Sequence, residues 1–308
     1  MNEKSLIDRL VVSVGKVPTR TEVLGLRQYS LPDIERRAKR FLGITAEACG
    51  LPSDRGDWLV ERDRTLVRLP QGARAVVYHA SGAMKLITGL NPMEHLFKKV
   101  DERQRLIRLV RETAGRLRIN DWIGAKESLE FENLWQLKAA AADTNGKTVP
   151  PVLCRALGAF RHSVNGLPVW GAASVAIRVA GAGQLDCLQI QLRESTGEVV
   201  EQAKVLRPDH AAGQILLQMN RLFGNSRIPA AELAVPGWMR FGYLSLPKRK
   251  AQRVLAPFYV ASIQTKSPQE TQSYLFATPA TETAHLPLCL NGSEARPGPA
   301  RNVHATCT

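Results

Sequence analysis

The sequence predicts an α+β fold, in which amphipathic helices pack on one face of antiparallel sheets. The first indication is Asn165-Gly166, which lies between two extended runs, because a type I′ hairpin turn needs positive φ at both central residues. The second is the alternation of apolar and polar residues in 175–179 and in 188–192, which is typical of strands with one buried face. The third is a set of helical segments with recognisable start signals between the strands.

Two helices are predicted in the first half of the chain. Ser30-Leu31-Pro32-Asp33 has the form of a helix start, with a Ser cap, an early Pro and an acid three residues after the cap. The apolar stripe that follows is predicted to end at Gly43. A longer helix is predicted from Asn91 to about Gly115. Its many cations are typical either of an anion-binding, nucleic-acid-binding or membrane-surface patch, or of a solvated helix face balanced by nearby acids.

The remaining elements are predicted from alternation, turn residues and a Pro at the first position of a helix. They are a hairpin over Trp58–Leu69 that turns near Asp63, strands near Ala73–His79 and Phe131–Ala141, three strands between Val152 and Arg193 with a turn at Gly181-Ala182-Gly183, a helix from Arg207-Pro208-Asp209, and strands near Trp238–Leu246, Phe258–Gln264 and Ser273–Thr278.

The Pro150-Pro151 pair is the best candidate boundary in the chain. We therefore predict two packed α+β halves, 1–149 and 150–280. From residue 281 onward the composition turns to Asn, Gly, Pro, Ser and Arg, which predicts a flexible tail over 281–308.

The charge of the chain is strongly basic: 42 Lys and Arg residues against 28 Asp and Glu residues give a net charge of +14. This charge favours solubility and weak attraction of anions or nucleic acid. The five cysteines are scattered without a C-x-x-C pair, which favours reduced thiols, and no stretch has the ~20 apolar residues of a membrane span. The sequence as written predicts a cytoplasmic protein, and an exported protein whose leader had been removed would look the same.

Sequence motifs for catalysis are absent. The chain contains neither the H-E-x-x-H zinc motif nor the G-x-S-x-G nucleophile motif, and no histidine has another at ligand spacing. Asn145-Gly146-Lys147-Thr148 ends like a phosphate-binding loop but lacks the glycine that should stand at Ala141. We expect no cofactor, no metal and no catalytic residue.

The segment from Phe160 to Val169 (FRHSVNGLPV), with Gly171 and the alternating strand up to Gly183, resembles the PepSY and FTP domains. These domains occur in propeptides of thermolysin-like and fungalysin metalloproteases and in stand-alone or membrane-anchored regulators. The resemblance covers about residues 150–225, and the Arg207-Pro208 helix suits it. It implies a cystatin-like second half, in which a helix packs on an antiparallel sheet, and a protein that inhibits, chaperones or regulates a partner by binding it.

Aromatic and cationic residues on or beside the strands of the second half form the candidate binding surface. On an exposed sheet face they could hold a peptide or an aromatic ligand by stacking and cation–π contacts; the alternative is that the Trp rings are core and the Arg side chains are solvated neighbours. These residues are Arg161, His162, Trp170, Trp238, Arg240, Tyr243 and Tyr259.

We therefore predict a non-enzymatic binding or regulatory protein that recognises a protein or peptide partner by strand addition or in a groove beside the sheet. The alternative is a small-molecule enzyme of the cyclase or isomerase type, with an apolar pocket under a curved sheet. Nucleic-acid binding is a third hypothesis, which rests on the charge alone.

Overall fold

The computed structural model describes residues 3–50, 56–97, 102–140, 144, 148, 150–223, 234–266 and 271–286. Helices and a mostly antiparallel arrangement of strands confirm the predicted α+β class. The helices are α1 (Glu3–Val14), α2 (Leu31–Cys49), α3 (Arg103–Arg116) and α4 (Pro208–Leu222). The strands are β1 (Arg20–Leu26), β2 (Asp57–Val60), β3 (Arg64–Arg68), β4 (Arg74–Tyr78), β5 (Met84–Ile87), β6 (Glu127–Ala139), β7 (Val152–Val164), β8 (Leu167–Gly171), β9 (Ser174–Val179), β10 (Leu185–Gln191), β11 (Ser195–Lys204), β12 (Ala234–Ser245), β13 (Val254–Lys266) and β14 (Thr271–Pro279).

The chain divides into two compact units, each built from separate stretches of sequence. Unit 1 combines Met1–Thr21, Lys204–Phe241 and Phe258–Thr308, and unit 2 combines Glu22–Ala203 with Gly242–Pro257. This division differs from the predicted halves 1–149 and 150–280. The physical reason is strand pairing: β6 and β7 lie on either side of residue 150 and pair along their length, so both belong to unit 2.

The predicted flexible tail, 281–308, lies outside the described residues from residue 287 onward. Of the six residues before that point, Thr281 and Leu286 are buried. Thr281 also forms an isolated antiparallel bridge with Val205 in unit 1.

Eight antiparallel strands of unit 2 lie side by side in the order β2, β3, β4, β5, β10, β9, β7 and β6. One face of this sheet carries the apolar core, which includes Ala75, Leu86, Ile177 and Phe160. Helices α2 and α3 pack on that face. The approach of α3 is close: a Cβ atom on Gly158 of β7 would lie 2.3 Å from Cγ1 of Val110 on α3. Glycine at this position therefore lets the helix reach the sheet.

Helix α2 begins where its cap residues predict. The Ser30 side chain accepts a hydrogen bond from the Asp33 backbone N–H, and the Asp33 carboxylate accepts one from the Ser30 N–H, which completes a capping box. The predicted end at Gly43 is wrong, because α2 continues to Cys49 and ends at Gly50, whose φ is +67°. A glycine inside a helix costs only ~1 kcal/mol, whereas a left-handed C-cap residue is a common terminator.

Helix α3 begins at Arg103, so the predicted start at Asn91 is wrong. The backbone carbonyls of Asn91, Pro92 and Glu94 instead accept hydrogen bonds from the buried guanidinium of Arg155, at distances of 2.7 to 3.2 Å. Because these carbonyls bind the Arg155 guanidinium, the segment forms a non-helical turn and does not begin the helix. The described part of that turn contains a hydrogen bond from the Glu94 N–H to the Asn91 carbonyl.

Both glycine turns of the second half are confirmed. Asn165 and Gly166 have φ values of +51° and +74° between the paired strands β7 and β8, as a type I′ turn requires. Ala182 and Gly183, with φ values of +57° and +73°, join β9 to β10. The sequence did not predict α1, β1, β5 or β11, and four strands, β7 to β10, lie between Val152 and Arg193, where three were predicted.

In unit 1, α1 and α4 pack together, and α4 also packs against β14, which pairs with β13 in an unbroken antiparallel register. Of the segment 150–225, for which a resemblance to PepSY domains is predicted, strands β7 to β10 belong to unit 2 and helix α4 belongs to unit 1. The helix that packs on β7 and β9 is α3. Among the helices that the structure describes, none combines the length and the apolar character needed to cross a membrane.

Candidate functional site

The seven predicted binding residues divide between the two units. Unit 2 contains Arg161, His162, Trp170 and Tyr243, and unit 1 contains Trp238, Arg240 and Tyr259. The seven side chains therefore do not belong to a single compact unit.

Arg161 and Trp170, which were predicted to contact a ligand, form a cation–π contact with each other. The Cζ atom of Arg161 lies 4.3 Å from the centroid of the Trp170 ring, and both side chains are partly exposed. Arg161 also forms an ion pair with Glu132 of β6. A Cβ atom on Gly242 would lie 2.6 Å from Nε1 of Trp170, so the indole ring packs closely on the backbone of β12.

His162 and Tyr243 lie in the interior of unit 2. The Nε2 atom of His162 is 2.9 Å from Oε2 of Glu127, and only 2% of the His162 surface is exposed. Tyr243 is 1% exposed and packs in a small apolar cluster with Val164 and Val169. The prediction that these two side chains contribute to an exposed surface is wrong. His162 follows Arg161 on β7, and consecutive strand residues point to opposite faces, of which Arg161 takes the exposed one. Tyr243 lies on β12, where it completes the apolar cluster.

Two of the three residues in unit 1 make structural contacts with the backbone. Tyr259 is fully buried, and its hydroxyl donates to the Leu206 carbonyl at 2.7 Å. Burial raises the pKa of Tyr259 to about 12. Arg240 is exposed and donates to the carbonyl of Ser13, and Trp238 is half-buried. Tyr259 is therefore a core residue of unit 1, against the prediction.

The face of the unit 2 sheet that points away from α2 and α3, called the open face below, is defined by strand register. Residues directly opposite each other in neighbouring strands project to the same face. From β2 to β6, one such row across the eight strands consists of Asp57, Arg68, Arg74, Ile87, Cys187, Arg178, Leu157 and Trp135. All eight are exposed or half-exposed, whereas alternate residues of the six inner strands, β3, β4, β5, β10, β9 and β7, belong to the core.

Positive charge predominates on the open face. Arg68 and Arg74 lie directly opposite each other on β3 and β4, an arrangement that is unfavourable for like charges. Lys85 occupies the same face of β5, in register with Gln189 of β10. Arg161 lies on the same face of β7, two positions beyond Ala159. The open face thus combines cations with the partly exposed apolar side chains of Ile87, Leu157 and Trp135.

Two arginines are held by Asp186 at one end of the open face. Its carboxylate pairs with Arg178 and with Arg155, whose Nε lies 3.3 Å from Oδ1 of Asp186. The side chains of Arg155 and Asp186 are 5% and 7% exposed, so this pair is structural. Next to Arg178, burial raises the pKa of the Cys187 thiol. Cys187 is therefore a poor nucleophile at neutral pH.

Strand β6 forms one edge of this sheet, and in the described part of the chain it pairs with β7 alone. Its register is interrupted between Phe131 and Asn133 and again between Leu137 and Lys138. The guanidinium of Arg103 donates to the Leu134 carbonyl and to Oδ1 of Asn133. Bulges and bound carbonyls are features that protect an edge strand from pairing with another chain. The open face, rather than this edge, is therefore the accessible surface.

The cations on β3, β4 and β5 were not among the predicted binding residues, because that prediction was confined to strands in the second half of the chain. The signal was present as alternation: Arg64, Leu66 and Arg68 occupy every second position of one strand. No group of three metal-ligating side chains is found among the described residues.

No protein-family profile and no curated protein sequence matches the chain. Among solved structures, the chain is similar to the crystal structure of an uncharacterized protein from Eubacterium rectale ATCC 33656 at 1.45 Å resolution. The TM-score is 0.52 at 10% sequence identity, and the alignment covers 93% of this chain and 99% of that chain. At this identity the similarity shows a shared fold.

Proposed function

We propose that this chain is a non-enzymatic binding protein, and that the open face of unit 2 recognises an acidic segment of a protein or peptide partner. The observation that carries the proposal is the direct opposition of Arg68 and Arg74 on a partly exposed sheet face. Arg68 also has Asp57 opposite it on β2, whereas Arg74 lies between Arg68 and Ile87, so the repulsion raises the free energy of the unbound protein mainly at Arg74. An acidic partner would relieve this repulsion.

The composition of the surface supports a peptide rather than a small ion. Leu157 and Trp135 lie in the same row as Arg74, so a segment that crosses the strands would meet cationic and apolar side chains in turn. Arg161 and Trp170 provide a further cationic and aromatic contact on the β7–β8 hairpin. The resemblance of residues 150–225 to PepSY and FTP domains, which act by binding a partner, is consistent with this function.

The mechanism proposed is binding across the face of the sheet. Strand addition at β6 is disfavoured by its two bulges and by the contacts of Arg103 with Asn133 and Leu134. Side-chain contacts would give specificity. Long-range attraction between the chain, with its net charge of +14, and an acidic segment would increase the association rate.

The test is fluorescence anisotropy of a labelled peptide composed of Glu, Ser and Leu, with a second peptide in which Lys replaces Glu. The full-length chain is expected to bind the acidic peptide and not the basic one. Arg74→Glu is expected to weaken binding by about tenfold, which corresponds to ~1.4 kcal/mol. Lys39→Glu is the matched control, because it makes the same charge change at an exposed position of α2.

Two results would reject the proposal. One is equal affinity of the wild-type chain and Arg74→Glu for the acidic peptide. The other is preferential binding of a single-stranded oligonucleotide, with an affinity that falls steeply with salt, which would assign the open face to nucleic acid.

The enzymatic alternative receives less support from the cavities of unit 2. A cavity of about 310 Å³ between the ends of α2 and α3 is lined by Cys49, Thr88 and Arg116, among others. Burial raises the pKa of the Cys49 thiol to about 11, so the thiol is protonated at neutral pH and unsuited to nucleophilic attack. Arg116 donates to the Gly183 carbonyl at 2.9 Å and so stabilises the β9–β10 turn.

A further inference from the structure

A second site in unit 2 lies beside α2, on the side of the sheet that the helices cover. Four arginines surround a cleft of about 190 Å³, which is far more than the ~10–15 Å³ that a single water needs. The aromatic rings of Tyr29 and Trp122 also line it. We call this feature the arginine cleft. Its arginines are Arg27, Arg36, Arg37 and Arg40.

Arg37 is fixed at the centre of the cleft by contacts on several sides. Its Cζ atom lies 5.2 Å from the centroid of Tyr29 and 5.1 Å from that of Trp122. Its Nε donates to the Gly82 carbonyl at 2.9 Å. Gly82 has a φ of +65°, and a Cβ atom there would lie 2.6 Å from Cε2 of Tyr29, so glycine allows the Tyr29 ring to take this position. The Arg37 side chain is therefore pre-organised, with 10% of its surface exposed.

The carboxylates in the cleft compensate only half of its positive charge. Asp33 pairs with Arg27 and Arg36, and Glu194 pairs with Arg27 and Arg37. Four guanidinium groups against two carboxylates leave a net charge of +2 within the cleft.

Arg40 is the cation of the cleft whose charge is least compensated. Its Cζ atom lies 4.6 Å from the centroid of Trp122, and its Nη2 donates to the Asp121 carbonyl at 2.9 Å. Within the described ranges, no carboxylate lies within ion-pair distance of Arg40. An oxyanion in the cleft would supply the missing counter-charge.

Trp122 lines the cleft with a ring that is mostly buried. The residue is 6% exposed, and its Nε1–H group is buried without a hydrogen-bond acceptor among the residues that the structure describes. Most buried polar groups in proteins have a partner, and those that lack one require an explanation. Nε1 itself has almost no accessible surface, so an anion in the cleft would contact the neighbouring arginines rather than this group.

We propose that the arginine cleft binds a dianionic phosphate group, either free phosphate or the phosphate of a small phosphomonoester. Guanidinium groups present paired N–H donors that match phosphate geometry. A phosphomonoester carries about −1.5 to −2 charges at neutral pH, which matches the net charge of the cleft, whereas a monocarboxylate supplies a single charge. This site is independent of the peptide-binding function proposed for the open face.

The test is isothermal titration calorimetry of the full-length chain with inorganic phosphate, phenyl phosphate and acetate. Both phosphates are expected to bind, and acetate is expected to bind at least about tenfold more weakly. A preference for phenyl phosphate would identify a phosphomonoester as the ligand, and equal affinity would identify free phosphate.

Arg40→Gln is the informative variant, because Arg40 is exposed and its loss should leave the fold intact. It is expected to weaken phosphate binding by about tenfold. Arg62→Gln is the matched control, since it removes one charge from an exposed position of the same unit outside the cleft and should leave the affinity unchanged. Failure of the wild-type chain to bind either phosphate at millimolar concentration, or equal weakening by both variants, would overturn the proposal.

Discussion

The guanidinium of Arg161 lies on the ring of Trp170, with 4.3 Å between Cζ and the ring centroid. Arg161 projects from β7 and Trp170 from β8, so the contact joins the two strands of the Asn165-Gly166 hairpin. Because Glu132 of β6 pairs with the same guanidinium, Arg161 links three neighbouring strands of unit 2. Its fixed orientation suits a contact residue for a partner.

A double-mutant cycle on this pair should reveal a favourable interaction. Trp170→Ala and Arg161→Gln are each expected to reduce the free energy of unfolding, and the double variant should lose ~0.5–1 kcal/mol less than the sum of the two. Urea unfolding of the four chains measures this coupling. A coupling energy of zero would show that the contact has no energetic role.

In the acidic-peptide assay, Trp170→Ala should weaken binding while the chain stays folded, and global unfolding would instead identify Trp170 as a core residue.

Gly158→Ala should destabilise unit 2, because the new methyl group would lie 2.3 Å from Cγ1 of Val110. Overpacking of this kind typically costs ~1–3 kcal/mol. Chemical denaturation of the variant gives the value. Gly43→Ala is the control: Gly43 is an exposed residue within α2, and a methyl group there would have no neighbouring atom within 4 Å, so alanine should stabilise by up to ~1 kcal/mol. A Gly158→Ala chain as stable as the wild type would contradict the packing of α3 on β7.

Asp186→Asn should be strongly destabilising, because it leaves the guanidinium of Arg155 buried without its carboxylate. Breaking a buried ion pair from one side costs ~3–5 kcal/mol, whereas an exposed pair contributes less than ~1 kcal/mol. Asp121→Asn is the matched comparison, since Asp121 pairs with the exposed Arg118. The two variants should therefore differ clearly in denaturation midpoint, and similar midpoints would refute the structural role assigned to Asp186.

The elements that the sequence predicted correctly are those with local determinants. The capping box of Ser30 and Asp33 and the turn at Asn165-Gly166 depend on residues that are adjacent in the chain. The start of α3 could not be predicted in this way. Arg155 binds the carbonyls of 91–94 from more than sixty positions away, and such a contact leaves no local trace.

The candidate site was predictable in part. Arg161 and Trp170 were predicted as members of a seven-residue surface and are partly exposed, whereas His162, which was predicted with them, is interior because it follows Arg161 on the same strand. Strand alternation places Arg161 and His162 on opposite faces of the sheet, and its strict application would have excluded His162 from the predicted surface. The opposition of Arg68 and Arg74 depends on the register between β3 and β4, and the sequence alone does not specify which residues face each other across a sheet.

Tyr29 should make the stability of unit 2 sensitive to alkaline pH. Burial raises the pKa of its hydroxyl from 10.0 to about 12, and the hydroxyl donates to Oε2 of Glu194 at 3.1 Å. Because the folded-state pKa is the higher one, the stabilisation is fully present below pH 10, and it is lost as the pH rises from 10 to about 12. Tyr29→Phe has no proton to lose in this interval, so its free energy of unfolding should decline less steeply than that of the wild-type chain. Urea unfolding at several pH values, together with absorbance titration of the tyrosines, measures both effects.

Tyr259→Phe provides the comparison in unit 1, where burial raises the pKa of Tyr259 to a similar value. Identical pH profiles for the wild-type chain and Tyr29→Phe would show that the Tyr29 hydroxyl titrates normally and is not buried beside Arg37.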